Sequence, residues 1–258
     1  MFFSSMIRLV KIKLVAAIRA GVRDDLAQLN HLAPEDEAFY EIWVKCRPYT
    51  MTSLERGLAL YRAIRYLVEN NIPGDIVECG VWRGGSSMIA MATLCSLGVM
   101  DRRVLMFDTY EGMTNPSAAD VDNSGNTAQD LFVAHQGRAD GILCYATLNE
   151  VRNNVNSIGY PTSLVEFVVG DIRETIKQFV QRPIALLRLD TDFYDSTKVE
   201  LEMFYPSLVG GGVLIIDDYG HWQGARKAVD EYWASLRKLD RRAPLLSIID
   251  YTGRLAIK

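Results

Sequence analysis

Two short segments of the sequence run from apolar residues directly into closely spaced carboxylates. Asp190 and Asp192 end one of them, and Asp217 and Asp218 end the other. Two unit charges about 4 Å apart repel by about 4 kcal/mol at an effective dielectric of about 20, so four such acids at one mouth require a counter-charge. A divalent cation would supply it, and all-oxygen ligation without His or Cys favours Mg2+ over Zn2+. The alternative is that some of these acids cap helices, as Asp192 or Asp195 could.

A glycine-bearing turn is the second chemical feature. It covers residues 78–87, where Gly80 and two further glycines precede a stretch typical of a helix. Backbone N–H groups at such a helix start can approach a polar ligand. The spacing is not GxGxxG, because Trp82 and Arg83 stand where a dinucleotide fold needs a second close glycine. We therefore do not expect a dinucleotide ligand.

Acidic residues also close the strands that follow this turn. Asp108 ends an apolar segment and could accept hydrogen bonds from both hydroxyls of a ribose. Asp171 follows Gly170 at the next strand end, where the base of a nucleoside would lie. Each acid could instead be a helix N-cap, but the agreement of three strand ends indicates a pocket for an adenosine-like ligand without phosphates. Glu78, in the first turn, suits S-adenosylmethionine as that ligand.

The elements that must position these residues can be read from the hydrophobic pattern. After residue 70, short runs of Val, Ile and Leu alternate with helical stretches, which is typical of a parallel sheet covered by helices. The predicted strands span residues 75–80, 103–109, 164–171, 184–192, 212–219, 245–250 and 253–258. The predicted helices span residues 53–70, 86–97, 172–180, 196–208 and 223–239. Only two residues separate the last two strands, so we expect an antiparallel hairpin at the sheet edge.

The remaining segments define the domain organisation. We expect a single domain over residues 1–258, with an N-terminal helical segment at 1–70. Residues 7–20 predict an amphipathic basic helix that packs on the domain or on a second subunit; a membrane-surface role is the alternative. Residues 110–161 form a polar insertion, helical around 148–156, and a loop of this length is usually a lid. We expect residues 115–156 of this lid to be mobile in the ligand-free protein, since their polar composition gives them little apolar surface to anchor them.

Composition excludes several classes of protein. The 258 residues are 49% hydrophobic and 23% charged with a net charge of −4, so we expect a folded protein and no nucleic-acid partner. Apolar stretches are interrupted well before the roughly 18 residues that a membrane span needs. Four cysteines without metal-binding spacing or a signal peptide indicate a reducing cytoplasm.

Five motifs give the sequence a specific resemblance. They are YTMT at 49–52, ECGVWRGGS at 78–86, FDTYEG at 107–112, LRLDTDFYDST at 187–197 and IIDDYG at 215–220. Their content and order resemble the macrocin O-methyltransferase family, whose metal-dependent enzymes use S-adenosylmethionine to methylate deoxysugar hydroxyls of macrolides and other glycosylated natural products. The resemblance covers residues 48–257. It implies a class I methyltransferase fold, an α/β Rossmann-like doubly wound sheet of seven strands with a terminal antiparallel hairpin and a lid insertion.

The resemblance also implies roles for individual residues. Asp190, Asp217 and Asp218 would bind the metal ion, and Asp192 would be the general base. Alternate residues of an extended segment face the same side, so Asp190 and Asp192 can address one catalytic site. The residues implied in cofactor binding are Tyr49, Thr50, Met51, Glu78, Gly80, Ser86 or Ser87, Asp108, and Asp171 with Ile172.

The sequence therefore predicts an O-methyltransferase that depends on S-adenosylmethionine and Mg2+ and acts on a deoxysugar of a glycosylated secondary metabolite. We expect a homo-oligomer. One alternative is a catechol or phenol O-methyltransferase, which the few aromatic residues of the insertion disfavour, although Phe132 and Tyr145 leave it open. The other is an inactive cofactor-binding interaction subunit, and the complete aspartate set counts against it.

Overall fold

The computed structural model describes residues 36–135, 144–179 and 181–258, so the helix predicted at 7–20 lies outside the described residues. Its helices are α1 (Glu37–Cys46), α2 (Leu54–Glu69), α3 (Gly85–Ser96), α4 (Ala128–His135), α5 (Leu148–Asn156), α6 (Ile172–Thr175), α7 (Tyr194–Phe204) and α8 (Gln223–Lys238). Its strands are β1 (Asp75–Cys79), β2 (Val104–Asp108), β3 (Val165–Val169), β4 (Ile184–Leu189), β5 (Leu208–Ile216), β6 (Ser247–Ile248) and β7 (Arg254–Ile257). Within this part of the chain, none of the helices has the length and apolar character needed to cross a bilayer.

The strands form one sheet in the order β3-β2-β1-β4-β5-β7-β6. The first five are parallel, and β7 runs antiparallel to both β5 and β6. Side chains alternate between the two faces, so that Ile76 packs in one apolar cluster with α1, α2 and α3, whereas Val77 packs in another with α6, α7 and α8. The seven-stranded doubly wound sheet and its terminal hairpin are therefore confirmed.

Some predicted boundaries are wrong. The helix predicted to reach residue 208 ends at Phe204 and is followed by a 3-10 turn that contains Pro206, because proline has no backbone N–H to continue the α-helical hydrogen bonds. Strand β5 then begins at Leu208, four residues before the predicted start at Gly212, and includes three consecutive glycines. The helix predicted at 172–180 is α6 followed by a 3-10 turn at Ile176–Gln178.

The insertion between β2 and β3 is better anchored than its polar composition suggests. The backbone N–H of Tyr194, at the start of α7, donates to the Asp120 carboxylate at 2.7 Å. Asp122 forms a β-bridge with Trp222. A small apolar cluster joins Ala128 of the insertion to Phe193, Trp222 and Ala225, with Met113, Leu131 and Phe132 packed against it. The expectation of little apolar anchoring is wrong for this part of the insertion.

Candidate active site

The carboxyl ends of the central strands open into one cavity of about 410 Å3, a size typical of small-molecule sites. Six of the residues predicted to bind the cofactor line it near β1 and β2: Tyr49, Thr50, Met51, Gly80, Ser86 and Asp108. Ile172 and the four predicted metal-binding and catalytic aspartates, Asp190, Asp192, Asp217 and Asp218, line it as well. The fold thus brings most of the predicted site residues together.

Three predicted cofactor residues do not line this cavity. Glu78 is 3% exposed; its carboxylate accepts hydrogen bonds from the Ser87 hydroxyl and, at 2.8 Å, from Arg188 Nη1. Asp171 caps α6 by accepting from the backbone N–H of Arg173 at 2.9 Å, and it also pairs with the Arg173 guanidinium. The side chains of Glu78, Ser87 and Asp171 therefore lie outside the cavity lining, and each is hydrogen-bonded to another protein group.

Glycine at position 80 allows the first turn to approach the end of β4. Gly80 has φ +81°, and a Cβ there would lie 1.9 Å from the backbone oxygen of Asp190. The backbone N–H of Asp190 donates to the carbonyl of Cys79 at 2.8 Å. A side chain at position 80 would thus separate β1 from β4 and displace Asp190 from the cavity.

Asp108 is fixed by the backbone of the same region. Its Oδ2 accepts from the N–H groups of Val81 at 2.6 Å and Trp82 at 3.0 Å, and its Oδ1 accepts from the N–H of Tyr110 at 2.8 Å. An ionised carboxylate offers about four lone-pair positions, so roughly one stays available to a ligand. The two ribose hydroxyls expected at Asp108 exceed that capacity unless the turn rearranges.

We call Asp190, Asp192, Asp217 and Asp218 the acidic cluster. Asp190 and Asp217 directly follow the register pair Leu189 and Ile216 of the adjacent strands β4 and β5, so the parallel ladder itself brings these two acids together. Carboxylate oxygens of Asp190, Asp217 and Asp218 all lie within 4.8 Å of one another. Such a donor set, made only of carboxylates, fits a hard divalent cation.

Two arginines that the sequence analysis did not identify face the acidic cluster. Arg188 of β4 donates to Asp190 Oδ2 at 2.6 Å and to Asp217 Oδ1 at 2.5 Å. Arg56 of α2 pairs with Asp217 and, through Nε at 2.9 Å, with Asp250. The available signal was Arg188 itself, since a charged residue inside an apolar strand must be paired when it is buried. A cation bound here would share Asp217 with both arginines.

Negative charge still exceeds positive charge around the acidic cluster. Desolvation and the charge of Asp190 raise the pKa of Asp192 to about 7, against a hydrogen bond with Asp218 that lowers it. Desolvation also raises the pKa of Asp190 and of Asp218 well above the usual range, and neighbouring aspartates add to both effects. A bound divalent cation would offset this repulsion, so the charge balance as well as the donor set fits Mg2+.

Asp192 does not act as a helix cap. The N-cap position of α7 is Phe193 rather than Asp192 or Asp195, and the backbone N–H of Tyr194 at this end of the helix donates to Asp120. Asp192 has a left-handed backbone with φ +65°, and its Oδ1 accepts a hydrogen bond from Trp222 Nε1 at 2.7 Å. This geometry places the carboxyl group in the cavity beside the other three acids.

The fold and the site define an O-methyltransferase that depends on S-adenosylmethionine. The family model described as macrocin-O-methyltransferase (TylF) matches residues 38–255. The chain therefore belongs to the macrocin O-methyltransferase family, and the resemblance inferred from its motifs is confirmed.

Individual relatives agree with this assignment. The chain is 32% identical over 242 residues to demethyldecarbamoylnovobiocin O-methyltransferase of Streptomyces niveus, covering 91% of this chain and 88% of the relative. It is 35% identical over 184 residues to 8-demethyl-8-(2,3-dimethoxy-alpha-L-rhamnosyl)-tetracenomycin-C 4'-O-methyltransferase of Streptomyces olivaceus, covering 71% and 67%. The solved structure of the O-methyltransferase NovP is similar with a TM-score of 0.69 and 31% identity, covering 81% of this chain and 82% of that one.

A more distant structure shows the fold alone. The O-methyltransferase from Bacillus cereus in complex with SAH has a TM-score of 0.54 and 16% identity to this chain, and the match covers 93% of this chain and all of the other. The class I methyltransferase fold is thus shared well beyond the range of close sequence identity.

Proposed function

We propose that the chain is a cytoplasmic O-methyltransferase of antibiotic biosynthesis that uses S-adenosylmethionine and Mg2+ to methylate a deoxysugar hydroxyl of a glycosylated secondary metabolite. The observation that carries the proposal is that the acidic cluster and Asp108 face the same cavity in a chain of this family. A sugar acceptor is supported by the relative from Streptomyces olivaceus, whose name includes a rhamnosyl group.

The cofactor would occupy the end of the cavity formed by β1 and β2. Asp108 would accept a hydrogen bond from a ribose hydroxyl, and Ile172 would contact the adenine. Gly80 and Ser86 would face the cofactor at the first turn, while Tyr49, Thr50 and Met51 would lie along its methionine end. Glu78 and Ser87 would not contact the cofactor; their hydrogen bonds with each other and with Arg188 would stabilise the turn that does. When bound, S-adenosylmethionine supplies an electrophilic methyl group to the other end of the cavity.

Asp190, Asp217 and Asp218 would hold the metal ion. When bound, Mg2+ would lower the pKa of an acceptor hydroxyl and orient the sugar. Arg56 and Arg188 hold the Asp217 carboxylate in place through their ion pairs. The arginines therefore help to preform the site, because they limit the repulsion among the acids before a cation binds.

Asp192 would be the general base. Its carboxyl group lies in the cavity next to the three proposed ligands, and one of its oxygens is already engaged by Trp222. Asp192 would take the proton from the acceptor hydroxyl as the oxygen attacks the methyl group, which is the usual task of a positioned carboxylate. Asp190 contributes to catalysis by holding the cation beside this base.

The proposal is tested by incubating purified protein with S-adenosylmethionine and Mg2+ against a panel of deoxysugar glycosides, their aglycones and simple catechols. We expect a mass gain of one methyl group on a glycoside and none on its aglycone. A preference for catechols would support the alternative phenol O-methyltransferase. Calorimetric binding of S-adenosylmethionine without any methyl transfer would support the inactive interaction subunit.

Two further expectations belong to the same proposal. The thiols of Cys46 and Cys79 are buried and form no disulfide bond within the described residues, which supports a reducing cytoplasmic environment. Near the edge strand β6, Leu245 is 84% exposed and Ile248 is 74% exposed, which supports a homo-oligomer that covers apolar surface. Light scattering of the full chain, compared with a variant carrying Ile248→Asp, measures the oligomeric state; an unchanged mass would exclude this edge as the contact.

A further inference from the structure

One hydrogen bond connects the proposed general base to a residue outside the acidic cluster. Trp222 Nε1 donates to Asp192 Oδ1 at 2.7 Å, a length typical of a charge-assisted bond. An indole N–H can only donate. This bond therefore occupies Oδ1 as an acceptor and leaves Oδ2 as the oxygen that Trp222 does not engage.

The backbone of Asp192 has an unfavourable left-handed conformation, which the surrounding hydrogen bonds must hold in place. It lies in the turn between β4 and α7 with φ +65°, a conformation that costs free energy for a residue other than glycine. The turn is held from one side by the backbone N–H of Phe193, which donates to the carbonyl of Thr191 at 2.7 Å. The indole of Trp222 holds the Asp192 carboxylate from the other side.

Trp222 is itself rigidly placed. Its side chain is 4% exposed and packs edge-on against Phe193, with ring centroids 5.5 Å apart, and against His221 at 5.1 Å. Its backbone N–H donates to the carbonyl of Asp218 at 3.0 Å. One residue therefore links the proposed base to the turn that carries a proposed metal ligand.

We propose that Trp222 is a positioning residue for Asp192: its indole N–H fixes Oδ1, so that Oδ2 faces the acceptor and takes the proton. The inference depends on the proposed role of Asp192 as the base. Trp222 need not contact cofactor, metal ion or acceptor to act in this way. It acts through the carboxylate alone, and that restriction makes the inference testable.

The chain offers a matched control in α8, the helix that follows Trp222. Trp233 is also 4% exposed, but its indole nitrogen has no hydrogen-bond partner among the described residues, and its ring packs in the apolar cluster that contains Val77. Trp222→Phe and Trp233→Phe therefore remove the same atoms from equally buried sites, and only the first removes a hydrogen bond. Replacement of Trp222 by benzothienylalanine, in which sulfur replaces the N–H, removes the bond while retaining the ring shape.

The experiment is a double-mutant cycle with Asp192→Asn. We expect Trp222→Phe and the benzothienylalanine variant to lower kcat by about 10-fold to 100-fold, as small misplacements of a catalytic group do, with KM for both substrates and the affinity for Mg2+ unchanged. Trp233→Phe should leave kcat unchanged. In the Asp192→Asn background, Trp222→Phe should cause no further loss, because residues that act through one another are not additive.

A second readout does not depend on activity. The chain has four tryptophans, and the 15N–1H indole signal missing from Trp222→Phe identifies that of Trp222. We expect this signal, but not the others, to shift in Asp192→Asn.

Additive losses in the double mutant, or an unshifted indole signal, would overturn the positioning role. A fully active benzothienylalanine variant would do so as well. Near-full activity of Asp192→Asn alone would instead refute the proposed base, which distinguishes the two failures.

Discussion

The two ends of the cavity hold their carboxylates in opposite ways. At the end formed by β1 and β2, the single carboxylate of Asp108 accepts three backbone N–H groups and needs no cation. At the end formed by β4 and β5, four aspartates face Arg56 and Arg188, and burial with mutual repulsion raises the pKa of Asp190, Asp192 and Asp218. The first arrangement suits a ligand with hydroxyl donors, and the second has an excess of negative charge that a bound cation would offset.

This comparison also separates two kinds of acid within the acidic cluster. Asp190, Asp217 and Asp218 have oxygens close enough to share one ion, whereas Asp192 is engaged by an indole N–H. Charge at the first three positions should control metal affinity. Proton transfer at the fourth should control the chemical step.

The largest expected effect is that of Asp192→Asn. Asparagine keeps the size of the side chain but cannot take a proton, so kcat should fall by about 100-fold to 10,000-fold, the usual contribution of a general base. The affinities for Mg2+ and S-adenosylmethionine, measured by calorimetry, should stay near those of the wild type. Excess Mg2+ should not restore activity; if it does, Asp192 is a metal ligand and the base must be sought elsewhere, with Asp190 or His221 next.

Asp218→Asn should lower the affinity for Mg2+, in contrast to Asp192→Asn, which should lower kcat. Loss of a partner that only orients a metal ligand usually weakens metal binding by roughly 10-fold to 100-fold. Because Asp218 would itself be a ligand, we expect Asp218→Asn to weaken Mg2+ binding by at least that much. Raising the Mg2+ concentration should then restore much of the activity. The matched control is Asp195→Asn, an exposed acid of α7, which should leave the Mg2+ titration unchanged. A loss that Mg2+ cannot reverse would place Asp218 outside the metal site.

The acidic cluster could be predicted from the sequence because the position of each acid relative to its strand is visible in the sequence itself. Each acid lies within three residues of the end of an apolar strand, and neighbouring parallel strands end at the same edge of a sheet. Arg56 could not be predicted in this way, since it lies on a helix more than a hundred residues from Asp217 and only the packing of α2 brings it there. Ser86 and Ser87 could not be separated either, because adjacent helix residues differ only in the face that tertiary packing turns to the cavity.

Asp171 shows a different limit of sequence reasoning. An aspartate between a strand and a helix is in the right place both for a ligand contact and for an N-cap, and here it caps α6. The pattern of residues is the same for both roles. Only the position of the side chain relative to the cavity distinguishes them.

The cofactor end should be independent of the metal. We expect Asp108→Asn to weaken S-adenosylmethionine binding by about 1.5 to 3 kcal/mol, as for the loss of a hydrogen bond to a charged group, because an amide N–H2 would also face the N–H groups that now donate to Asp108. For the wild-type protein, calorimetry should give the same affinity for S-adenosylmethionine with and without a chelator of divalent cations. Asp101→Asn, an exposed acid that precedes β2, is the control. Loss of cofactor binding on chelation would contradict the division of the cavity into two ends.

The smallest expected effect concerns a buried acid that follows neither pattern. Glu200 of α7 is 0% exposed, its Oε1 accepts from the Thr191 hydroxyl at 2.9 Å, and its Oε2 has no hydrogen-bond partner in the part of the chain that the structure describes. Burial raises the pKa of Glu200 to about 8. It thus has neither the backbone donors of Asp108 nor the arginines of the acidic cluster, and the folded protein keeps it neutral near pH 7.

This neutrality predicts a pH-dependent stability. Between the ordinary glutamate pKa and about 8, the unfolded chain releases the Glu200 proton while the folded chain retains it, so the wild type loses stability as pH rises through that window. Glu200→Gln cannot titrate and keeps an acceptor for Thr191. Its Tm should therefore gain on that of the wild type by several degrees between about pH 5 and pH 8, at roughly 2–4 °C per kcal/mol for a chain of this size. Glu202→Gln, an exposed position on the same helix, should show no such gain in thermal melts. A Tm difference between Glu200→Gln and wild type that stays constant from about pH 5 to pH 8 would mean that folding does not raise the pKa of Glu200.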